Sequence, residues 1–172
     1  MRRLILLLTL SLLVTSFSCK RARRARVETV EEEQGALASS VNTADPRHAV
    51  QLLRGFYELE QNAWRWTQGK FSVTLKTPSK TGATLTLKFS LPGAVIERIH
   101  STDLSAKIGD LVLEPEKYDK PGDYLYTRDL PASALSSDSV TIDFAWSKFL
   151  AAGEVEGREL ASIVNSVGLK AK

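Results

Sequence analysis

From Phe71 onward, large apolar side chains fall on every second position. Phe71, Val73 and Leu75 alternate with Ser72, Thr74 and Lys76; Leu85, Leu87, Phe89 and Leu91 alternate with Thr84, Thr86, Lys88 and Ser90; Val140, Ile142, Phe144 and Trp146 alternate with Thr141, Asp143 and Ala145. A period of two is the spacing of one face of a pleated strand, so each run predicts a strand with one buried and one solvated side. Turn residues punctuate the runs at Pro78 to Gly82, Pro92-Gly93, Gly109, Pro121-Gly122 and Leu130-Pro131. Short half-buried strands separated by such turns predict an all-β fold, a β-sandwich of the jelly-roll-like kind.

The densest cluster of rings precedes these runs. Gly55 to Thr67, GFYELEQNAWRWT, is read as the opening strand, with Trp64 and Trp66 on one face and Arg65 on the other. Ala49 to Phe56 fits both a helical and an alternating spacing. The strands around residues 71–76 and 85–91 are expected to form a hairpin-like pair. Residues 95–106 lead into a second hairpin at Gly109, and Glu114 to Asp123, with its charges and two prolines, reads as an exposed loop before a strand at Tyr124 to Asp129. Arg158 to Leu169 supports either a helix or a strand; a strand is expected, because a closing strand removes an open edge.

The N-terminal region has a different character. Two arginines, an eleven-residue apolar core from Leu4 to Val14 and a small-residue stretch before Cys19 make residues 1–18 an expected export signal, since eleven residues fall well short of the ~20 that cross a bilayer. Cys19 is the single cysteine and stands where the lipid acceptor of a bacterial lipoprotein stands, so lipidation there is expected, with simple secretion the alternative. Residues 19–47 combine a basic cluster with Glu31 to Glu33 and have no aromatic ring, which predicts a flexible charged tether; residues 48–172 are the expected sandwich domain. The basic cluster also suits anionic headgroups at a membrane surface.

Charge excludes one partner class. The net charge of +3 comes from the N-terminal part, and from His48 onward fifteen Lys and Arg face fifteen Asp and Glu, so the folded part lacks the basic excess of a nucleic-acid surface. Catalytic groups are equally sparse. His48 and His100 stand far apart, the cluster His100-Ser101-Thr102-Asp103 puts neighbours on opposite strand faces, and the carboxylate pairs Glu58 with Glu60 and Asp119 with Asp123 read as solvated surface. No cofactor is expected, although Asp119 and Asp123 offer oxygens suited to Ca²⁺.

Gly55-Phe56-Tyr57, Glu60, Trp64 to Thr67, Pro121 to Tyr124, Leu130-Pro131, Arg158 to Leu160 and Val167 to Leu169 together resemble the carbohydrate-binding-module-like or galactose-binding-like jelly-roll domains appended to bacterial glycosyltransferases. The resemblance implies a binding domain rather than an enzyme. Sugar recognition on such a scaffold uses a flat ring against a pyranose face with polar groups on the hydroxyls. The candidates are Tyr57, Tyr124 and Tyr126 as rings, with Glu58, Arg65 and Arg128 as polar partners. The expected function is a non-catalytic, envelope-anchored lipoprotein that binds a glycan or another envelope component. The alternative is an assembly subunit that docks a protein through a sheet edge or the strand at residues 124–129.

Overall fold

The alternating runs become strands whose apolar rows meet in one core. The computed structural model describes residues 36–154 and 157–172, and its sandwich spans Leu37–Lys172. The expected export signal, Cys19 and the tether up to residue 35 lie outside the described residues. In chain order the elements are β1 (Ser40–Asn42), a 3₁₀ turn (Pro46–Gln51), β2 (Leu52–Phe56), β3 (Arg65–Lys76), β4 (Gly82–Leu91), helix α1 (Gly93–Ile99), β5 (Thr102–Ile108), β6 (Leu111–Tyr118), β7 (Gly122–Pro131), a second 3₁₀ turn (Ala132–Leu135), β8 (Ser139–Trp146) and β9 (Ile163–Ala171).

Every strand pair is antiparallel, and the strands form two layers. One layer runs β7-β4-β9, with β1 and the first residues of β3 on the far side of β9. The other runs β6-β5-β8-β3, with β2 outside β3. The long strand β3 belongs to both: Arg65 and Trp66 pair with β9, whereas Lys70 to Lys76 pair with β8. Because the chain changes layer between most successive strands, the result is a jelly roll. Phe71, Val73 and Leu75 from β3, Leu85, Leu87 and Phe89 from β4, Ile142 and Phe144 from β8, and Val164 and Val167 from β9 are all buried between the layers. Phe71 and Phe144 stack across the β3–β8 pair at a centroid distance of 4.9 Å.

The structure corrects several expectations. Gly55 to Thr67 is not one strand; β2 ends at Phe56, a turn closes through the Glu60–Trp64 bridge, and β3 starts at Arg65. Trp64 and Trp66 are half-buried, and Trp66 packs on a small satellite cluster of Val95, Leu150 and Leu160 rather than in the main core. β3 and β4 do not pair as a hairpin, because the apolar row of β9 lies between them; for the same reason β9 is a central strand and not an edge closure. Residues 93–99 form a helix that buries Val95 and Ile96 and ends at His100, whose φ is +62°. Residues 40–47 of the expected tether are also part of the fold: Val41 is fully buried, and β1 pairs with Ser166 to Gly168.

The expected loop at Glu114 to Asp123 is mostly strand as well. β6 continues to Tyr118, with Pro115 tolerated because β6 is the outermost strand of its layer and can leave a ladder position without an N–H. Side chains then lace β6 to β7, the outermost strand of the other layer: Glu114 O accepts from Tyr126 Oη (3.2 Å) and Arg128 Nε (2.9 Å), and Arg128 Nη1 lies 3.0 Å from Glu116 Oε2.

Two glycines test this account of the backbone. Gly55 (φ +75°) makes a bulge in β2, and a Cβ there would stand 2.0 Å from Lys70 O, whereas Gly109 (φ +56°) turns the β5–β6 hairpin with open space around it. Gly109→Ala therefore costs only left-handed strain, roughly 1 kcal/mol, while Gly55→Ala adds a backbone clash and costs well over ~2 kcal/mol. Urea unfolding of the two variants measures the difference; equal losses would refute the tight approach of β2 to β3.

Candidate ligand-binding face

The six side chains singled out from the sequence do not form one site. Tyr57 and Glu58 follow the end of β2 beside Arg65, the first residue of β3, whereas Tyr124, Tyr126 and Arg128 lie on β7, with β9 and β4 between β3 and β7 in the sheet. Arg65 is committed to the fold: Nε donates to Thr43 O (2.9 Å) and Nη1 to Tyr57 O (2.9 Å), tying three segments together. Glu58 is fully exposed, and the half-buried Tyr57 ring has the Arg158 guanidinium 5.0 Å from its centroid, where a sugar would have to lie. Arg158 is itself paired with Glu60 at 2.7 Å.

The β7 group is internal or occupied too. Tyr126 is fully buried, which corrects its expected role as an accessible ring; it shares strand parity with Leu130, and burial raises the pKa of its phenol. Arg128 lies over the Tyr126 ring at 4.2 Å and is spent on β6. Tyr124 is half-buried between Phe89 and Tyr118, with its hydroxyl on Lys120 O. Asp123 accepts from Ser90 Oγ, and among the described residues no three His, Cys, Asp or Glu side chains converge as metal ligands, so the Ca²⁺ suggestion at Asp119 and Asp123 gains no further ligand. The residues of the His100 cluster are likewise engaged elsewhere: Asp103 accepts from Ser147 Oγ and Thr102 Oγ1 donates to Lys148 O.

The face that the sequence reading passed over is the outer side of the β6-β5-β8-β3-β2 layer. Since Phe71, Phe144 and Ala106 point inward, their neighbours point out, and the register aligns them in rows across the strands. One row runs Lys70, Ala145, Ser105; the next runs Ser72, Asp143, Lys107, with Arg54 opposite Ser72 at one end and Val112 opposite Lys107 at the other. The short Ala145 and Ser105 leave a hollow of about 490 Å³, rimmed by Arg54, Gln68, Lys70, Lys107 and Asp143. The signal for it was in the sequence, in the polar alternates of the same runs whose apolar members revealed the strands.

One pair of its charges is fixed in place. Asp143 Oδ1 accepts from Arg54 Nη2 (2.6 Å) and from Ser72 Oγ (2.6 Å), and Arg54 Nε donates to that same hydroxyl (2.7 Å). The Ser72 hydrogen bond, with help from Arg54 and Lys107, holds the Asp143 carboxyl below the usual carboxylate range against the opposing effect of partial burial. The Gly55 bulge is what brings Arg54 over this triad.

No protein-family model matches the sequence, and no curated protein matches it. Solved structures are similar in fold. A GH115 4-O-methyl-α-glucuronidase, BtGH115A, described as specific for decorated arabinogalactans, shares 8% identity at a TM-score of 0.49; the similarity covers 80% of this chain and 18% of that one. A family 35 carbohydrate binding module from Clostridium thermocellum shares 12% identity over 77% of this chain and 98% of its own (TM-score 0.47), and one from an environmental isolate shares 16% over 81% and 91% (TM-score 0.41). This chain thus spans less than a fifth of the glucuronidase and most of either module. Likeness at this level concerns the fold and carries nothing about ligands.

The Asp143 triad predicts a pH dependence. A carboxyl whose folded pKa is depressed stabilises the fold above its unfolded value, near 4, and that contribution is lost as pH falls through the folded value. Asp143→Asn should therefore be less stable than the wild type by roughly 1 kcal/mol at pH 7, and the gap should close as pH falls below ~4. Chemical denaturation at stepped pH measures it; a gap unchanged at pH 3 would remove the triad from the account.

Proposed function

We propose that the protein is a non-catalytic binding module that holds a glycan or another polymer of the cell envelope in the hollow on the outer side of the β6-β5-β8-β3-β2 layer. The observation that carries this is the hollow itself, a floor of short side chains with an amide, a hydroxyl, a carboxylate and three cations convergent around it. Such groups suit a polyhydroxylated ligand held by hydrogen bonds on a rigid sheet. Nothing around the hollow pairs a nucleophile with a histidine base, which favours retention of a ligand over its turnover. Docking of a protein by strand addition has weaker support, because Glu114 of β6 is engaged by Tyr126 and Arg128 of β7 where the two layers' outermost strands meet.

The proposal includes export and a lipid anchor at Cys19, which would hold the module at a membrane surface by way of the charged N-terminal segment. Intact-mass measurement with and without globomycin tests the anchor. A diacylglyceryl adduct on Cys19 that disappears with the inhibitor or in Cys19→Ser is the expected result, and a mature chain lacking any adduct would eliminate it.

The binding face has its own test. Ala145 faces outward at the floor, so Ala145→Phe should fill the hollow without disturbing the core. Affinity electrophoresis and a glycan array should show retention by at least one envelope or plant polysaccharide, weakened tenfold or more by this substitution at unchanged circular dichroism. Retention that survives Ala145→Phe would move the site elsewhere.

A further inference from the structure

The folded region from His48 onward is neutral overall, yet the rim of the hollow carries Arg54, Lys70 and Lys107 against Asp143 alone. These cations are not equivalent. Arg54 is neutralised by Asp143 at 2.6 Å, whereas Lys70 and Lys107 are exposed and enter no ion pair with the described residues. The register separates the two lysines by two strands across and two residues along, so their Cα atoms stand roughly 12 Å apart. Two charges at that distance do not converge on one small anion; they suit an extended chain with repeated negative groups, and although Lys107 shares the field of Asp143 across the β5–β8 pair, neither lysine has a close ion pair that a ligand must break.

Asp143 narrows the class further. Asp143 lines the hollow, and both Arg54 and Ser72 use its Oδ1, so its Oδ2 accepts from neither of them. A polyanion without donors gains nothing from that oxygen and is repelled by it, whereas a sugar hydroxyl can donate to it while the sugar's own acid group faces a lysine. Gln68 and Ser105 add neutral polar groups between the charged ones.

We infer that the ligand of this face is an acidic polysaccharide, a sugar chain bearing carboxylate or sulfate groups, with Lys70 and Lys107 binding successive acid groups and Asp143 Oδ2 accepting a hydroxyl between them. The inference rests on the proposed glycan-binding role and gives it a chemical class.

The experiment is affinity electrophoresis of the mature protein in gels containing polygalacturonate, dextran sulfate, uncharged dextran, neutral galactan or polyacrylate. The wild type should be retarded by polygalacturonate, by dextran sulfate or by both, which separates carboxylate from sulfate as the acid group, and not by dextran. Its apparent Kd should rise at least tenfold in Lys70→Gln/Lys107→Gln and again between 50 and 500 mM NaCl, as exposed charge pairs are screened. Polyacrylate, with charge but no hydrogen-bond donors once ionised, should bind at least tenfold more weakly than the acidic sugar, a preference that Asp143→Asn should erase. Equal retention by polyacrylate would show charge alone and overturn the inference. Galactan or dextran binding that is blocked by Ala145→Phe but indifferent to the lysine changes would also overturn it, leaving the glycan role standing; absence of retention by every polymer would end both.

Discussion

The architecture depends on one strand serving two layers. β3 begins against β9 and ends against β8, so the two sheets are covalently one along their shared side and cannot slide independently. At the crossover the backbone leaves one ladder before joining the next, and its polar groups need partners there. They are supplied by Ser162: Thr67 N donates to Ser162 O at 2.8 Å, Thr67 Oγ1 lies 2.9 Å from Ser162 Oγ, and the indole Nε1 of Trp146 donates to that same oxygen at 3.2 Å. Thr67 and Ser162 are both fully buried, so this small network satisfies polar groups that would otherwise be stranded in the core. It also gives the indole N–H of Trp146, which strand parity sends inward with Phe144, a partner in the core.

With β3 fixed, strand parity decides everything on the outer face. A shift of one residue anywhere along β3 or β8 would bring Lys70 and Asp143 inward and Phe71 and Phe144 outward, exchanging a stacked aromatic pair for buried charges. The hollow is thus a by-product of the same register that builds the core. Its floor is low because Ala145 and Ser105 are short, and its rim is rigid because Arg54, Ser72 and Asp143 lock one another.

That parity also marks where the sequence was legible. β3 from Phe71 onward, β4 and β8 were readable because each buries one face completely, so their apolar members recur every second residue. β1 was not, since three residues with one buried valine carry no period, and the pairing that makes it a strand lies more than a hundred residues away. The helix at 93–99 follows Pro92-Gly93, a pair that reads as a stop, and is too short for its apolar spacing at Val95, Ile96 and Ile99 to stand out. Tyr126 misled for a chemical reason: a phenol reads as amphipathic, whereas its place in the row with Leu130, opposite Leu87, sends it inward and leaves Leu125 outside. The candidate site is not marked by rings, which fall mostly at buried or half-buried positions, but by the polar alternates of the strands, whose period carries no sign of its own.

The distribution of aromatic side chains then bears on what this sandwich can hold. Phe89, Tyr118, Tyr124 and Trp146 form a contiguous group of ring contacts inside one end of the barrel-like body, with centroids 4.7 to 6.0 Å apart. Rings that pack on one another in this way contribute cohesion and offer little free face for a pyranose. The outer hollow has the opposite composition: its one ring residue, Phe144, is buried and stacked on Phe71, and all of its directional groups are polar or charged. Any ligand there would be held by hydrogen bonds and charge, which lose strength in water and in salt unless several act together on a long ligand. A single-layer polar face without an aromatic platform is therefore better matched to a polymer that touches many weak points than to a small sugar that must be gripped at one.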